Sequence, residues 1–305
     1  MMLALARRIA VRAPSYATYA RERPGWVILI LFGRLKWARW LERKLRTKTL
    51  LLIQLPASED IYSPTADIVA RRLARDGVCE GFSLSAAILK EIRTFADDNL
   101  CSPRAADGIS FFPRDFAAAN RYRSTDILAA YYFSSVERSD AINRLLIDPR
   151  LLSVARNYLG QAAKNIRVRL WWSFPARRFD DADLRRAAQD RFHFDLNDWR
   201  TLKFFFYLTD VDEVSGPHLY IRGSHRRRGL RHQYTLFHGQ ERGDLESYYG
   251  IDRFISITGQ AGSGFSEDPF VFHTGTVVQA SPRLILELEF GPCDPSPSYR
   301  YGALG

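Results

Sequence analysis

Residues 191–211, RFHFDLNDWRTLKFFFYLTDV, place a His-x-Asp pair shortly before a run of aromatic residues. The run predicts a β-strand over 202–211, because aromatic and β-branched residues favour a pleated, half-buried surface. Side chains alternate along a strand, so Lys203, Phe205 and Tyr207 share one face. One of the two faces must line the interior of a sandwich or a barrel.

The sequence around this strand predicts helices first and short strands afterwards. Helical periodicity marks 66–77, 84–98 and 139–160, the last divided at Pro149 and ended at Gly160. Aromatic and β-branched runs mark further strands at 166–174, 217–221, 253–259 and 283–290. This order predicts a mainly β fold with flanking helices, in which antiparallel strands form a sandwich or barrel.

Charge is distributed unevenly along the 305 residues. The formal net charge is +10, and the first 50 residues carry twelve Lys and Arg against two Glu, which accounts for the whole excess. The rest of the chain is therefore neutral overall. A nucleic-acid-binding protein more often carries a basic face on its folded domain, so the distribution argues against nucleic acid as the partner.

The three cysteines, Cys79, Cys101 and Cys293, are far apart in the sequence and form no Cys-x-x-Cys pair. An odd number of cysteines cannot all pair within one chain. The spacing argues against a disulfide framework and against a cysteine-ligated metal, and it fits a reducing compartment.

The first part of the chain differs in composition from the rest, which predicts a basic, amphipathic N-terminal extension, 1–64, before one domain, 65–305. Residues 1–25 are Arg-rich with one acidic residue, which is typical of an organellar transit peptide or of a plain basic tail. The apolar run WVILILF at 26–32 is too short to span a bilayer, which needs about 20 residues. We therefore expect the protein in the cytoplasm, or in an organelle if the leader is a transit peptide.

Tryptophan, leucine and basic residues are mixed through the rest of the extension, GRLKWARWLERKLRTKTLLLIQLP (33–56). An interfacial helix uses this combination on anionic lipid, which would give a peripheral membrane contact through residues 26–54. The alternative is a helical extension that packs on the domain with its cations solvated, because the apolar face is not continuous. The sequence does not indicate the oligomeric state.

His193 and Asp195 are separated by one residue, so on an extended segment both side chains point to the same side. Two imidazoles and one carboxylate on one face of a metal hold non-haem Fe(II) and leave coordination positions open. His-x-Asp alone is a weak signal, since the two groups could equally be hydrogen-bonded polar residues of a strand. A third ligand must come from elsewhere. His273 is the candidate, with a hydrogen-bonded loop histidine as the alternative.

Arg283 lies ten residues after His273 and opens the apolar strand LILELEF. An arginine that enters a buried strand needs a partner there, and its planar fork matches a carboxylate. That carboxylate belongs either to a bound ligand or to a nearby side chain, Glu287 or Glu289.

The combination of His-x-Asp, a histidine about eighty residues later and an arginine ten residues beyond resembles the phytanoyl-CoA dioxygenase family of Fe(II)- and 2-oxoglutarate-dependent oxygenases. The similarity covers roughly residues 66–290, and HTGTVV after the second histidine departs from the family's usual proline-containing turn. The similar blocks are LARDGV (73–78), LLIDPRLLSVARNYLG (145–160), FHFDLNDWRTLKFFFYLTDVDEVSGPHLYIRGSHRRR (192–228) and GSGFSEDPFVFHTGTVVQASPRLILELEF (262–290).

The resemblance implies a double-stranded β-helix, a cupin-like jelly-roll barrel with helices packed outside. It implies that His193, Asp195 and His273 bind Fe(II), that Arg283 holds the distal carboxylate of 2-oxoglutarate, and that O2 is the co-substrate. The expected reaction is hydroxylation of an aliphatic carbon in a small-molecule, lipid-like or glycan-linked biosynthetic intermediate. Desaturation, cyclisation, epimerisation or a non-catalytic ligand-binding role are the alternatives. Related halogenases carry a small residue in place of the carboxylate, so the presence of Asp195 favours oxygenation.

Several further residues could contact the cofactor or the substrate, or could equally be packed in the core. They are Lys203 and Tyr207 for 2-oxoglutarate, and Trp171, Trp172 and His218 for the substrate pocket. The basic cluster at 226–231 either attracts an anionic substrate or is a solvated loop. We expect a structural or supporting role for His225, and we expect His232 and His238 at the surface.

Overall fold

Two antiparallel sheets form the centre of the fold. The computed structural model describes residues 20–21, 24–46, 57–103, 108–121, 123–233 and 240–292. The strands in these ranges are β1 (Ile61–Tyr62), β2 (Val78–Leu84), β3 (Ala129–Tyr131), β4 (Asn165–Ser173), β5 (Leu202–Tyr207), β6 (His218–Ile221), β7 (Phe254–Ile257), β8 (Ser263–Glu267), β9 (His273–Gly275) and β10 (Arg283–Gly291). The larger sheet has the order β1-β2-β8-β5-β10-β4-β3, and the smaller has the order β7-β6-β9.

The two sheets pack face to face. One buried cluster combines Phe205 of β5 with Tyr220 of β6 and Ile257 of β7. This arrangement of antiparallel strands is a jelly roll, so the predicted mainly β fold with flanking helices is confirmed.

Most of the helices precede β4 in the sequence. They are α1 (Pro24–Phe32), α2 (Lys36–Arg46), α3 (Ala66–Asp76), α4 (Ala86–Asp98), α5 (Phe116–Asn120), α6 (Asp140–Leu146), α7 (Pro149–Leu159), α8 (Asp181–Ala187), α9 (Ser224–Arg227), α10 (Leu230–Gln233) and α11 (Arg242–Tyr249). Thr65 and Ser85 cap α3 and α4, and Asp148 caps α7, each accepting a backbone N–H of the first turn. Gly77 ends α3 with a φ of 87°, a conformation that glycine adopts without strain. The helices predicted over 66–77, 84–98 and 139–160 are thereby confirmed.

The side chains of the central strands alternate between two buried regions, one on each face of the larger sheet. The even-numbered residues of β10 are apolar and pack with Phe204 and Phe206 in the core beneath the helices. The odd-numbered residues of β10 before its final Gly291 are Arg283, Ile285, Glu287 and Glu289, and all four are buried. They share the opposite face with Lys203, Phe205 and Tyr207 of β5, so this polar face lines the interior of the jelly roll.

Gly264 of β8 leaves no room for a side chain. A Cβ atom placed there would lie 2.5 Å from Cδ1 of Phe206 and 2.6 Å from the carbonyl oxygen of Phe205. We expect Gly264→Ala to lower the free energy of unfolding by about 1–3 kcal/mol, because a close-packed core resists overpacking. Urea denaturation measures the loss.

Gly243 of α11 is the matched control for that substitution. An added Cβ would meet nothing within 4 Å, and alanine has a helix propensity better than that of glycine by roughly 0.5–1 kcal/mol. Gly243→Ala should therefore leave stability unchanged or slightly raised. Equal losses from the two variants would contradict the packing described for β8.

Some elements have no clear signal in the sequence. The strand β8 reads SGFSE and is held in place by its pairing with β2 and β5 rather than by its own propensity. The His-x-Asp segment forms no long strand, since His193 makes only an isolated antiparallel bridge with His273.

In the part of the chain that the structure describes, no helix is long and apolar enough to cross a membrane. Cys79 and Cys101 are buried and unpaired, in line with their spacing. The predictions for residues 1–19, His238 and Cys293 fall outside the described ranges.

Candidate metal centre

The three side chains that the sequence singles out as metal ligands lie together. His193, Asp195 and His273 each offer one ligand atom, and these atoms all lie within 4.8 Å of one another. The backbone sets this convergence. The N–H of His193 donates to the carbonyl of His273 at 3.0 Å, the reverse bond measures 2.9 Å, and the N–H of Asp195 donates to the carbonyl of Pro269 at 2.8 Å.

Both imidazoles present Nε2 to the space between the three residues. Nδ1 of His193 lies 2.9 Å from the carbonyl oxygen of Arg191, and Nδ1 of His273 lies 3.1 Å from that of Val271. A carbonyl oxygen can only accept, so Nδ1 is the donor in each ring and Nε2 is the nitrogen that remains for a metal. Each Nε2 lies 3.9 Å from an oxygen of Asp195. This set of two nitrogens and one carboxylate matches the two-histidine, one-carboxylate arrangement of non-haem iron sites.

Lys203 compensates the charge of Asp195 from inside the jelly roll. Its Nζ lies 2.6 Å from Oδ2 of Asp195, 3.3 Å from Glu287 and 3.5 Å from Glu289. Burial opposes ionisation of Asp195, but the charges of Lys203 and of the two neighbouring histidines outweigh it and lower the pKa of Asp195. Burial also opposes the charge on Lys203, while the carboxylates around it raise its pKa. Asp195 is therefore an anion at neutral pH and is available as a ligand.

Glu267, which has no distinguishing signal in the sequence, is buried beside His273. Its Oε1 lies 3.2 Å from Nδ1 of His273 and its Oε2 lies 3.0 Å from Nε2 of His218, although neither contact has hydrogen-bond geometry. Burial raises the pKa of Glu267 to about 7. Burial also lowers the pKa of His218 to about 3 and that of His273 to about 4. Neutral imidazole is the form that binds a metal. The one feature that reveals Glu267 is the strand register, which places it opposite Lys203.

Arg283 is buried on the interior face, and not all of its N–H donors form hydrogen bonds with described residues. Its Nη2 donates to Oγ of Ser173 at 3.0 Å, and its Nη1 donates to the carbonyl of Gly216. Its Nε has no hydrogen-bond partner among the described residues. A Cβ atom built on Gly275, which lies two residues after His273, would be 3.6 Å from Nη2 of Arg283. The guanidinium therefore lies close to the ligand-bearing strand β9.

The acidic residues of β10 do not pair with Arg283. Glu287 accepts from Arg169, and Glu289 accepts from Asn197 at 2.8 Å. Among the described residues no carboxylate forms an ion pair with Arg283, and burial lowers its pKa. The alternative of a partner in Glu287 or Glu289 is therefore wrong, and the guanidinium keeps a donor for a bound carboxylate.

His218 and Tyr207, predicted to contact substrate and 2-oxoglutarate, lie on the interior face near His273. The ring of His218 stacks on that of His273 at 5.5 Å and packs on Phe205 at 5.2 Å. The hydroxyl of Tyr207 donates to the carbonyl of Ile257 at 2.8 Å and accepts from the N–H of His218 at 3.0 Å. Backbone groups thus already occupy this hydroxyl.

The structure separates the two tryptophans predicted to line the pocket. Trp171 packs with the interior cluster and stacks on Tyr131 at 6.1 Å. Trp172 points to the opposite face, where it packs in the core beneath the helices and its Nε1 donates to the hydroxyl of Tyr132 at 2.9 Å. Since alternate residues of a strand face opposite sides, Trp171 is the one of the two that lies on the interior face.

Two residues expected in polar or solvated surroundings are buried. His232 stacks on the ring of Tyr249 at 5.7 Å, so its predicted surface location is wrong. Arg228 lies 3.8 Å over the ring of Phe194, the residue between the first two candidate ligands, so the cluster at 226–231 is not simply a solvated loop. His225 contacts a backbone carbonyl of α3, in agreement with a structural role.

Comparison with known proteins identifies the family. The family model described as phytanoyl-CoA dioxygenase (PhyH) matches residues 74–281, which is more than half of the chain. The chain belongs to the phytanoyl-CoA dioxygenase family. It is an Fe(II)- and 2-oxoglutarate-dependent oxygenase, with O2 as co-substrate and a small molecule as substrate. None of the curated proteins matches the chain significantly.

Solved structures similar to this member of the phytanoyl-CoA dioxygenase family include three with a metal. EctD from S. alaskensis with bound Fe is 19% identical, with 84% of this chain and 89% of EctD covered and a TM-score of 0.48. HygX from Streptomyces hygroscopicus with nickel and 2-oxoglutarate is 14% identical, with 73% and 86% covered and a TM-score of 0.47. The epimerase SnoN with Fe3+, alpha ketoglutarate and nogalamycin RO is 16% identical, with 74% and 82% covered and a TM-score of 0.48. The ligands named belong to those proteins.

Proposed function

We propose that this member of the phytanoyl-CoA dioxygenase family binds Fe(II) through Nε2 of His193, Nε2 of His273 and the carboxylate of Asp195. The convergence of the three ligand atoms within 4.8 Å is the observation that carries the proposal. Bound iron, together with 2-oxoglutarate, supplies the activation of O2 that oxidises an unactivated carbon. The chain holds the three ligands in place, keeps the imidazole of His273 neutral and keeps Asp195 ionised.

Arg283 is our candidate for binding the distal carboxylate of 2-oxoglutarate. Its unpartnered Nε and its hydrogen bond to the hydroxyl of Ser173 support this assignment, because a carboxylate matches the fork of a guanidinium. Its position near Gly275 places it beside the strand that begins with His273. Lys203 pairs with carboxylates, so we assign it to the positioning of Asp195. Tyr207 forms hydrogen bonds with backbone groups, so we assign it to the positioning of the β6 backbone.

The reaction we propose is hydroxylation of an aliphatic carbon in a lipid-like or glycan-linked biosynthetic intermediate. Phe205, Phe265 and Trp171 line the interior face with apolar surface, which favours a carbon-rich substrate and exclusion of water. His193 has the most exposed side chain of the three candidate ligands, so the substrate approaches from its side.

Succinate formation by the purified full-length protein tests this proposal. The protein is supplied with Fe(II), 2-oxoglutarate and O2, with a panel of long-chain acyl and glycan-linked compounds. Hydroxylation predicts succinate together with a product heavier by one oxygen atom that derives from 18O2. A product that has lost two hydrogens without gaining oxygen would show desaturation or cyclisation instead. Absence of succinate throughout would overturn the proposed iron and 2-oxoglutarate sites.

Replacing Arg283 with lysine tests the 2-oxoglutarate site separately. Lysine keeps the charge but not the planar fork, so we expect the KM for 2-oxoglutarate to rise by about 10- to 100-fold, the value of a charge-assisted hydrogen bond. The control is Arg178→Lys at an exposed arginine that pairs with Asp126, which should leave the KM unchanged. An unaltered KM in folded Arg283→Lys would contradict the assignment.

A further inference from the structure

Helix α2 turns its large apolar residues toward solvent. Ala38 and Glu42 are buried on the inner face, whereas Trp37 is 58%, Trp40 57% and Leu45 76% exposed. A surface helix of a soluble protein normally has the opposite arrangement, with its apolar face against the core. The exposed tryptophans and leucine therefore need an explanation other than packing on the domain.

Specific polar contacts hold the inner face of α2 on the domain. Glu42 accepts from Nε of Arg200 at 3.1 Å, and both side chains are buried. The guanidinium of Arg39 lies 4.0 Å over the ring of Phe270. The backbone N–H of Lys36 donates to Oε1 of Gln233 at 2.9 Å. These contacts fix the rotation of α2 about its own axis, and they thereby hold its apolar face toward solvent.

The apolar surface continues from α2 onto α1. The ring of Phe32, at the end of α1, meets that of Trp37 edge to face at 6.1 Å. Trp37, Trp40, Leu41, Lys44 and Leu45 follow the i, i+3, i+4, i+7, i+8 spacing of one helical face. The exposed large apolar residues of the two helices are Ile28, Leu31, Phe32, Trp37, Trp40, Leu41 and Leu45.

Positive charge lies within this surface and next to it. The ammonium of Lys44 lies 4.7 Å over the ring of Trp40, within the apolar face itself. Beside it, Arg43 of α2 lines a cavity of about 440 Å³ together with Arg71, Arg75 and Arg226, and none of the described residues that line this cavity is acidic. Asp67 and Asp76 pair with Arg71 and Arg75 from the side, which reduces the excess charge without cancelling it.

We propose that the helix pair at 24–46 seats the protein on an anionic lipid surface, with the exposed face of α1 and α2 inserted among the headgroups. Tryptophan and leucine on one face, with cations within and beside it, are the combination that interfacial helices use. Neither helix is long enough to cross a bilayer, so the contact is with one leaflet. The proposal does not depend on the iron site, and its readout is binding rather than turnover.

Flotation of the full-length protein with vesicles tests the proposal. We expect binding to vesicles of phosphatidylcholine with phosphatidylglycerol, binding at least about tenfold weaker to phosphatidylcholine alone, and weakening in 0.5 M sodium chloride, since surface charge is screened. Combined Trp37→Ser, Trp40→Ser and Leu45→Ser should reduce binding to anionic vesicles by at least about tenfold, because less apolar surface is buried.

The matched control removes equally exposed apolar residues elsewhere. Ile147 is 71% and Ile251 70% exposed, and combined Ile147→Ser and Ile251→Ser should leave vesicle binding unchanged. Absence of binding by the wild-type protein, or equal binding by the triple variant, would overturn the proposal. Sedimentation velocity tests whether a second copy of the chain covers this face instead of lipid. A wild-type dimer that the triple variant dissociates, with no affinity for vesicles, would assign the face to a second copy of the chain.

Discussion

Replacing His273 with alanine is expected to weaken Fe(II) binding by more than about 100-fold and to abolish succinate formation. Loss of a residue that merely supports a ligand already lowers metal affinity by about 10- to 100-fold, and loss of a ligand removes a coordinate bond outright. Among the described residues the ligand cluster contains one other histidine, His193, so no third histidine is in place to substitute for His273. Calorimetric titration of the metal-free protein with Fe(II) under anaerobic conditions measures the loss.

The matched control for this variant is His225→Ala. His225 contacts a backbone carbonyl of α3 and takes no part in the metal-site cluster, so its replacement should leave iron affinity intact. Circular dichroism confirms that both variants are folded. If His273→Ala bound iron and turned over as well as the wild-type protein, the proposed ligand set would be wrong.

The second large effect is expected from Lys203→Met. The ammonium of Lys203 is buried within 2.6 Å of Asp195 and within 3.5 Å of Glu287 and Glu289. Its removal leaves buried carboxylates without their shared cation, which typically costs about 3–5 kcal/mol of the free energy of unfolding. The loss should be greatest in the metal-free protein, because bound Fe(II) would itself compensate Asp195.

Urea denaturation with and without Fe(II) measures this difference. Lys90→Met, at an exposed lysine of α4, is the control and should change stability by no more than about 0.5 kcal/mol. Equal stability of Lys203→Met and Lys90→Met would show that the carboxylates do not depend on Lys203. A loss that iron does not reduce would show that Lys203 acts on β10 rather than on Asp195.

The fold was largely predictable because helices and apolar strands carry periodic signals. The helix split at Pro149 and the strand opened by Arg283 are both observed. The strand β8 was not predictable, because SGFSE has neither alternation nor strong β propensity and is defined by its neighbours. His232 was expected at the surface for a similar reason: its stretch is polar, and only the packing of Tyr249 and Phe272 around it makes it buried.

The candidate ligands were predictable from spacing, whereas their surroundings were not. The His-x-Asp spacing alone predicts that both side chains lie on one side of an extended segment. The sequence could not decide between a ligand and Glu287 as the partner of Arg283, since that depends on the cross-strand pairing of Arg169. Glu267 was missed because its only relevant property, its position opposite Lys203, arises from the β5–β8 register.

The isolated bridge between His193 and His273 has a consequence for the cohesion of the whole jelly roll. A metal held by both residues would act as a cross-link that closes a loop of about 80 residues, and closing so long a loop removes much entropy from the unfolded chain. That loop contains β5, β6, β7 and β8, and so strands from both sheets. Iron would then stabilise the folded arrangement of these four strands, and its removal would lower the free energy of unfolding.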